Sequence, residues 1–264
     1  MVRSWPDRHS GGMRHGWREL SGLLLPVACA GCGRPRTDLC PVCATALHGG
    51  PARPARPAPR PPGLPAVYAA APYGNAVRAV LLAHKERGAL GLAGALGRAL
   101  AGGVRAVAGR PDGPGPLLLV PVPSARSATA ARGHDPVRRI AAAAARDLRR
   151  GGLPAQVVPL LRQRRAVADQ AGLRAPQRRA NLSGALGVTA GGRALLRQRS
   201  SGQGSLHHRR VILVDDLLTT GSTLAEAARA LREAAVGVRE PYAREVCRAA
   251  VVAASPSAFE INRN

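Results

Sequence analysis

The sequence predicts an α/β protein, with a parallel sheet flanked by helices and preceded by a small zinc knuckle. Three observations carry that expectation. Val211-Ile-Leu-Val214 is a wholly apolar run, and Leu224, Ala227, Ala228 and Leu231 follow it at helical spacing. A doubly buried strand leading into a helix is the unit that builds parallel sheets. Leu117-Leu-Leu-Val120 leads in the same way into a helical pattern over residues 136–150. Finally, Cys29-Ala-Gly-Cys32 and Cys40-Pro-Val-Cys43 are two Cys-x-x-Cys pairs separated by seven residues, the ligand pattern of a tetrahedral Cys₄ metal site. Strands alternating with helices imply right-handed crossovers. In such sheets ligands bind at the carboxyl ends of the strands.

Composition narrows the function classes. Hydrophobic residues make up 45% of the 264 positions but aromatics only 2%, so the core is expected to be Ala, Val and Leu. Few aromatics also disfavour a stacking platform for single-stranded nucleic acid. No apolar run approaches the roughly 20 residues that span a bilayer. Leu23-Leu24-Leu25 is too short for an export signal, and the expected placement is cytoplasmic. The formal charge is +24, and Lys85 is the only lysine. Two origins fit that charge: a salt-sensitive surface for polyanions, or the codon usage of a GC-rich genome.

In chain order, residues 1–20 are a basic tail with the composition of a disordered terminus. Residues 21–48 hold the knuckle, where Cys29, Cys32, Cys40 and Cys43 are the expected ligands of a structural zinc. Disulfides are the competing reading, and a reducing cytosol disfavours them. Cys247 stands apart in an apolar stretch and reads as a buried strand residue. Residues 49–65 form a proline-rich linker expected to act as a spacer. Residues 66–254 form the main domain, and 255–264 a C-terminal tail.

Within the domain, 67–74 reads as strand and turn, and 76–82 as a helix whose end is marked by the cations of His84-Lys85-Glu86-Arg87. A helix over 90–107 follows. After strand 117–120, Arg132-Gly133-His134-Asp135 leads into helix 136–150. Strands are expected at 157–161, 185–189, 211–214 and 246–254. Residues 162–181 show no period, and 191–208 read as loop.

The richest stretch is Asp215-Asp216 with the loop Thr219-Thr220-Gly221-Ser222-Thr223. Loop N–H groups and a helix start suit an anion, and two carboxylates at a strand end suit the hydroxyls of a sugar beside it. The plain alternative is a strand end followed by a capped helix, with Ser222 or Thr223 as N-cap. A Walker-type loop is excluded, because no Gly-Lys-Ser/Thr is present.

This stretch resembles the ribose-phosphate signature of type I phosphoribosyltransferases. With the Cys₄ knuckle, Tyr73-Gly74 and a later Lys85, Val120-Pro-Val-Pro123 before Arg132-Gly133, and Gln170, Leu173, Arg178, Arg179 and Asn181, the order is similar to that of the ComF family. Those are bacterial phosphoribosyltransferase-like proteins linked to competence for DNA uptake, and the likeness covers residues 23–254. It implies a type I phosphoribosyltransferase-like fold that binds phosphoribosyl pyrophosphate with Mg²⁺ and transfers phosphoribose to an acceptor. Thr219 to Thr223 would hold the 5′-phosphate, and Asp215 and Asp216 would be the catalytic pair on the ribose hydroxyls. The loop after Val120 would cradle pyrophosphate, with Arg126 or Arg132 beside it. Magnesium would be held by ligand oxygens and water. The alternative it implies is a non-enzymatic DNA-uptake factor that binds single-stranded DNA. A helicase-type competence protein would be a partner. One departure stands out: His134-Asp135-Pro136 replaces a Phe-Asn-Gln common in the family. His134 is a candidate base, although a lone His in such a turn is more often a surface residue.

Overall fold

A computed structural model describes residues 27–109, 115–167, 175–200, 210–235 and 248–260. The basic tail, Gln170, Leu173 and Cys247 lie outside them. The described chain begins at the cysteine knuckle and runs into helix α1 (Pro41–His48) and a two-residue strand β1 (Arg53–Pro54). Strand β2 (Ala66–Pro72), helix α2 (Asn75–Glu86) and helix α3 (Ala93–Ala108) follow. Next come β3 (Leu117–Pro121), α4 (Arg126–Arg132), α5 (Pro136–Arg150) and β4 (Ala155–Val157). The short β5 (Leu161–Gln163), α6 (Ala175–Leu182), β6 (Leu186–Val188) and α7 (Ala190–Ser200) form an inserted unit. Strand β7 (Arg210–Leu218), α8 (Ser222–Ala234) and β8 (Arg248–Ala254) complete the fold.

Six strands form one sheet in the order β1-β2-β8-β7-β3-β4, and β5 pairs with β6 in a second. In the large sheet every pairing is parallel except β1 against β2. The mostly parallel α/β expectation is met, and the reason is visible in the alternation along each central strand. Leu117, Leu119, Ile212, Val214, Ala250 and Val252 enter one core layer with α2, α3 and α5. Leu118, Val120, Val211, Leu213, Ala249 and Val251 enter the other with α8 and the inserted unit. A sheet buried on both faces needs continuous apolar strands.

Small residues take the place of aromatics. Gly97 on α3 lies so close to α5 that an added Cβ would sit 2.8 Å from the Ala144 backbone nitrogen. The segment Leu90–Ala108 is long and apolar enough to cross a membrane by composition alone. In this fold it is a core helix, with Leu96, Leu100 and Val104 fully buried.

Several elements differ from expectation. Residues 49–65 do not hang free: β1 pairs with β2, Ala55 donates its N–H to Val67, and Ala55 and Leu64 enter the core. Proline suits this place because a sheet edge has no further ladder to fill. Residues 157–161 span the break between β4 and β5 rather than a strand. Helix α7 occupies part of the expected loop; the glycines Gly191 and Gly192 had concealed it. Thr189 Oγ1 accepts the Gly192 N–H at 3.0 Å as its cap. A Cβ at Gly192 would meet the Leu160 carbonyl oxygen at 3.0 Å, so glycine there serves packing. The C-terminal segment also packs: a 3₁₀ turn at Pro256–Phe259 buries Ala258 and sets Phe259 beneath Arg53, 4.6 Å from ring centre to guanidinium.

Candidate functional site

The site forms where the sheet splits. The ladder between β3 and β7 ends at Pro121 opposite Val214, with one last bond from Val122 N–H to the Val214 oxygen at 3.0 Å. Pro121 and Pro123 have no N–H with which to extend it. Strand β7 continues beside β8 as far as Leu218 opposite Ala254. The acidic pair therefore lies inside β7, which runs four residues beyond the Val214 end expected from the apolar run. From Asp215 onward one side of β7 faces a cleft of about 700 Å³.

Asp215, Asp216, Thr219 and Thr223 line this cleft from β7 and the loop beyond it, and Ser124 and Ala125 line it from the loop after β3. Both carboxylates are at least nine-tenths buried. Asp215 Oδ1 accepts the Asp216 backbone N–H at 2.8 Å. Burial, then the neighbouring Asp216 charge, push the Asp215 carboxyl well above the usual carboxylate range. Lys85, at the end of α2, donates from Nζ to Asp216 Oδ2 at 2.8 Å. Burial works against its charge, but the Asp216 carboxylate more than offsets this and raises its pKa.

The small-residue loop turns at Gly221, whose φ of 76° is left-handed. A Cβ there would also meet Leu64 at 3.0 Å and Pro57 at 3.3 Å, so the proline-rich segment closes over the outside of the loop. Thr220 and Ser222 bond each other through their hydroxyls at 3.1 Å. Helix α8 begins at Ser222, and its second residue, Thr223, lines the cleft, an arrangement in which a helix start attracts an anion.

The two arginines have separate positions. Arg132 lines the main cleft but is held by Glu86, with Nε and Nη2 donating at 2.9 and 2.8 Å. Arg126 lines an adjoining cleft of about 290 Å³ with Arg164 and Arg165. The two clefts share Ala125, Ser127, Gln163 and Val167. His134 lines neither: its Nδ1 pairs with the Arg132 carbonyl at 3.0 Å, and its ring packs edge-on against buried His84, 5.9 Å between centres. Both His84 nitrogens and His134 Nε2 are buried without a hydrogen-bond partner. Burial, helped by His134 and Arg139, lowers His84 to about 4, so His84 is neutral packing, with the His134 ring against it. The residues that the sequence reading did not assign to this site are Lys85 and Glu86. The signal for Lys85 was its being the single lysine among 39 basic residues.

A second cluster sits at the other end of α2. The sulfurs of Cys29, Cys32, Cys40 and Cys43 all lie within 4.8 Å of one another, with Cys32 and Cys40 at 3.6 Å. Tetrahedral thiolates around one zinc stand about 3.8 Å apart. None of the four is in a disulfide. The Cys40 N–H donates to Cys29 Sγ at 3.2 Å. Burial raises the Cys29 thiol, but the N–H groups of Cys40, Gly31 and Cys32 outweigh it and bring it down to about 6. At Cys43, burial and then its three sulfur neighbours push the thiol up. Four sulfurs so close need a cation to ionise together, and donor type, number and spacing fit a structural divalent metal such as zinc. Among the described residues no other group of three or more His, Cys, Asp or Glu side chains could hold a metal.

No protein-family model matches this chain, and no curated protein matches it.

Proposed function

We propose that the chain binds phosphoribosyl pyrophosphate with Mg²⁺ and transfers its phosphoribosyl group to an acceptor, as the resemblance to the ComF family and type I phosphoribosyltransferases implies. The observation that carries this reading is one juxtaposition at the split of the sheet. Two buried carboxylates, Asp215 and Asp216, are followed by the left-handed Gly221 and the start of α8 at Ser222, across a cleft from the loop after β3. That arrangement suits a ligand with an anion at one end and vicinal hydroxyls in the middle. Backbone N–H groups of Thr220 to Thr223 would take the 5′-phosphate. Asp215 and Asp216 would accept hydrogen bonds from the ribose hydroxyls. The pyrophosphate would lie toward Ser124 and Ala125, bringing the metal with it, since Mg²⁺ keeps to phosphate oxygens and water. The C1–oxygen bond would break with its electron pair leaving on pyrophosphate. The acceptor's nucleophile would bond to C1, and its proton would pass to solvent. Stabilising the leaving anion is then the main electrostatic task. Zinc in the Cys₄ cluster would be structural.

A second reading rests on the adjoining cleft, where Arg126, Arg164 and Arg165 meet no lining carboxylate. This favours a polyanion such as single-stranded DNA, without chemistry at the acidic pair. Calorimetry separates the two. Tight, Mg²⁺-dependent binding of phosphoribosyl pyrophosphate that Asp216→Asn weakens supports the first. Binding of DNA alone supports the second.

A further inference from the structure

Of 39 basic residues in this chain, one is a lysine, and it is the one that touches the acidic pair. Arginine would grip Asp216 with a planar fork, whereas an ammonium is a compact charge on a flexible stem that can change partners.

The base of that stem is fixed. Helix α2 ends at Glu86 and is followed by a left-handed Gly88, and the Ala89 N–H returns to the Ala83 oxygen at 3.1 Å. The residues on either side of Lys85 are committed elsewhere: His84 is fully buried against His134, and Glu86 holds Arg132 by two bonds. Only the lysine side chain, one-third exposed, reaches into the cleft from this turn to meet a carboxylate that is nine-tenths buried.

We infer that Lys85 is a resident, movable counter-ion. It holds Asp216 while the site is empty and keeps free divalent cations off the acidic pair. When sugar hydroxyls take over Asp216, it turns to the ligand's anionic group. The electrostatics support the first half. A buried carboxylate without a partner is costly, and an ammonium at 2.8 Å leaves little net charge to attract Mg²⁺. The second half rests on the phosphoribosyl reading above. The consequence is an order of entry: metal arrives only with the ligand, and a ligand must offer both hydroxyls and an anion to displace Lys85 without leaving a bare charge.

The test uses the full zinc-loaded chain and three probes: Mg²⁺ alone, phosphoribosyl pyrophosphate alone, and both. Calorimetry of Lys85→Met should reveal Mg²⁺ uptake roughly tenfold or more tighter than wild type, and Lys85→Met with Asp216→Asn should lose it. Lys85→Arg should still exclude Mg²⁺ yet bind phosphoribosyl pyrophosphate more weakly than wild type, a split that a merely structural cation would not produce. Because Lys85 is the only lysine, labelled lysine gives one side-chain resonance in the wild-type protein, so the test survives a variant that fails to fold. That resonance should stay put with Mg²⁺ alone and move with phosphoribosyl pyrophosphate. The inference is overturned if wild type takes up Mg²⁺ as tightly as folded Lys85→Met. It is equally overturned if phosphoribosyl pyrophosphate binds and the lysine resonance does not move. Should wild type bind no phosphoribosyl pyrophosphate, the ligand reading of the site fails by itself, and the Mg²⁺ comparison alone decides whether Lys85 excludes metal.

Discussion

Asp215 is held in a place that favours its neutral form, since burial and Asp216 both raise its pKa. A carboxyl raised in the folded state gives its full stability below its unfolded value, and that contribution is lost as pH rises through the folded value. Asp215→Asn keeps the oxygen that accepts the Asp216 N–H and removes the ionisation. It should raise Tm at pH 8 by about 2–4 °C, the shift that about 1 kcal/mol gives in a chain this size, with a smaller gain at pH 4. Thermal melts across pH check this, and a gain that is no larger at pH 8 than at pH 4 would contradict it. Gly221 is constrained twice, by its left-handed φ and by Leu64 and Pro57. Gly221→Val should therefore cost ligand affinity and about 1–3 kcal/mol of stability, whereas Thr220→Ala leaves the loop backbone in place and should cost less of both. Denaturant titration beside ligand binding separates the two effects.

Among the elements, the knuckle and the α3–α5 contact make the clearest predictions. The cysteine cluster packs on Ala76 at the start of α2, whose far end carries Lys85. Metal analysis should find about one zinc per chain, lost in Cys32→Ser together with a lowered Tm. Full folding without metal would contradict this. At the crossing of α3 and α5, Gly97→Ala should destabilise by about 1–3 kcal/mol, measured by urea unfolding, because the added methyl meets α5 backbone. The central strands and α5 were legible in the sequence because their apolar periods are long and uninterrupted; α5 spans the expected 136–150. Helix α7 was not, since Gly191 and Gly192 mimic a turn, although Gly192 serves close packing. The proline-rich segment was misjudged for a related reason. Composition reports what a segment does alone, and here Leu64 and Ala55 find a sheet edge to cover. At the site, the acidic pair and loop were readable from local order. Lys85 was not assigned, because its partner lies 131 residues away and only the fold brings them together.

At the scale of the whole molecule, the +24 charge and the acidic pair pull toward different ligands. If the arginines of the smaller cleft serve a polyanion, single-stranded DNA affinity should fall steeply with salt. Arg126→Ala with Arg164→Ala should reduce that slope by about one to two phosphate contacts. An unchanged slope would assign the charge to codon usage. The sheet, the knuckle and the proline-rich segment all converge on the ends of β7 and α2, so the central claim concerns what that junction binds. The most direct measurement is calorimetric titration of phosphoribosyl pyrophosphate, with Mg²⁺, into the wild-type chain and Asp216→Asn. Hydrogen bonds to a charged group contribute roughly 1.5–3 kcal/mol, so Asp216→Asn should bind about tenfold to a hundredfold more weakly. Equal affinity in the two proteins, or no binding to wild type, would contradict the account.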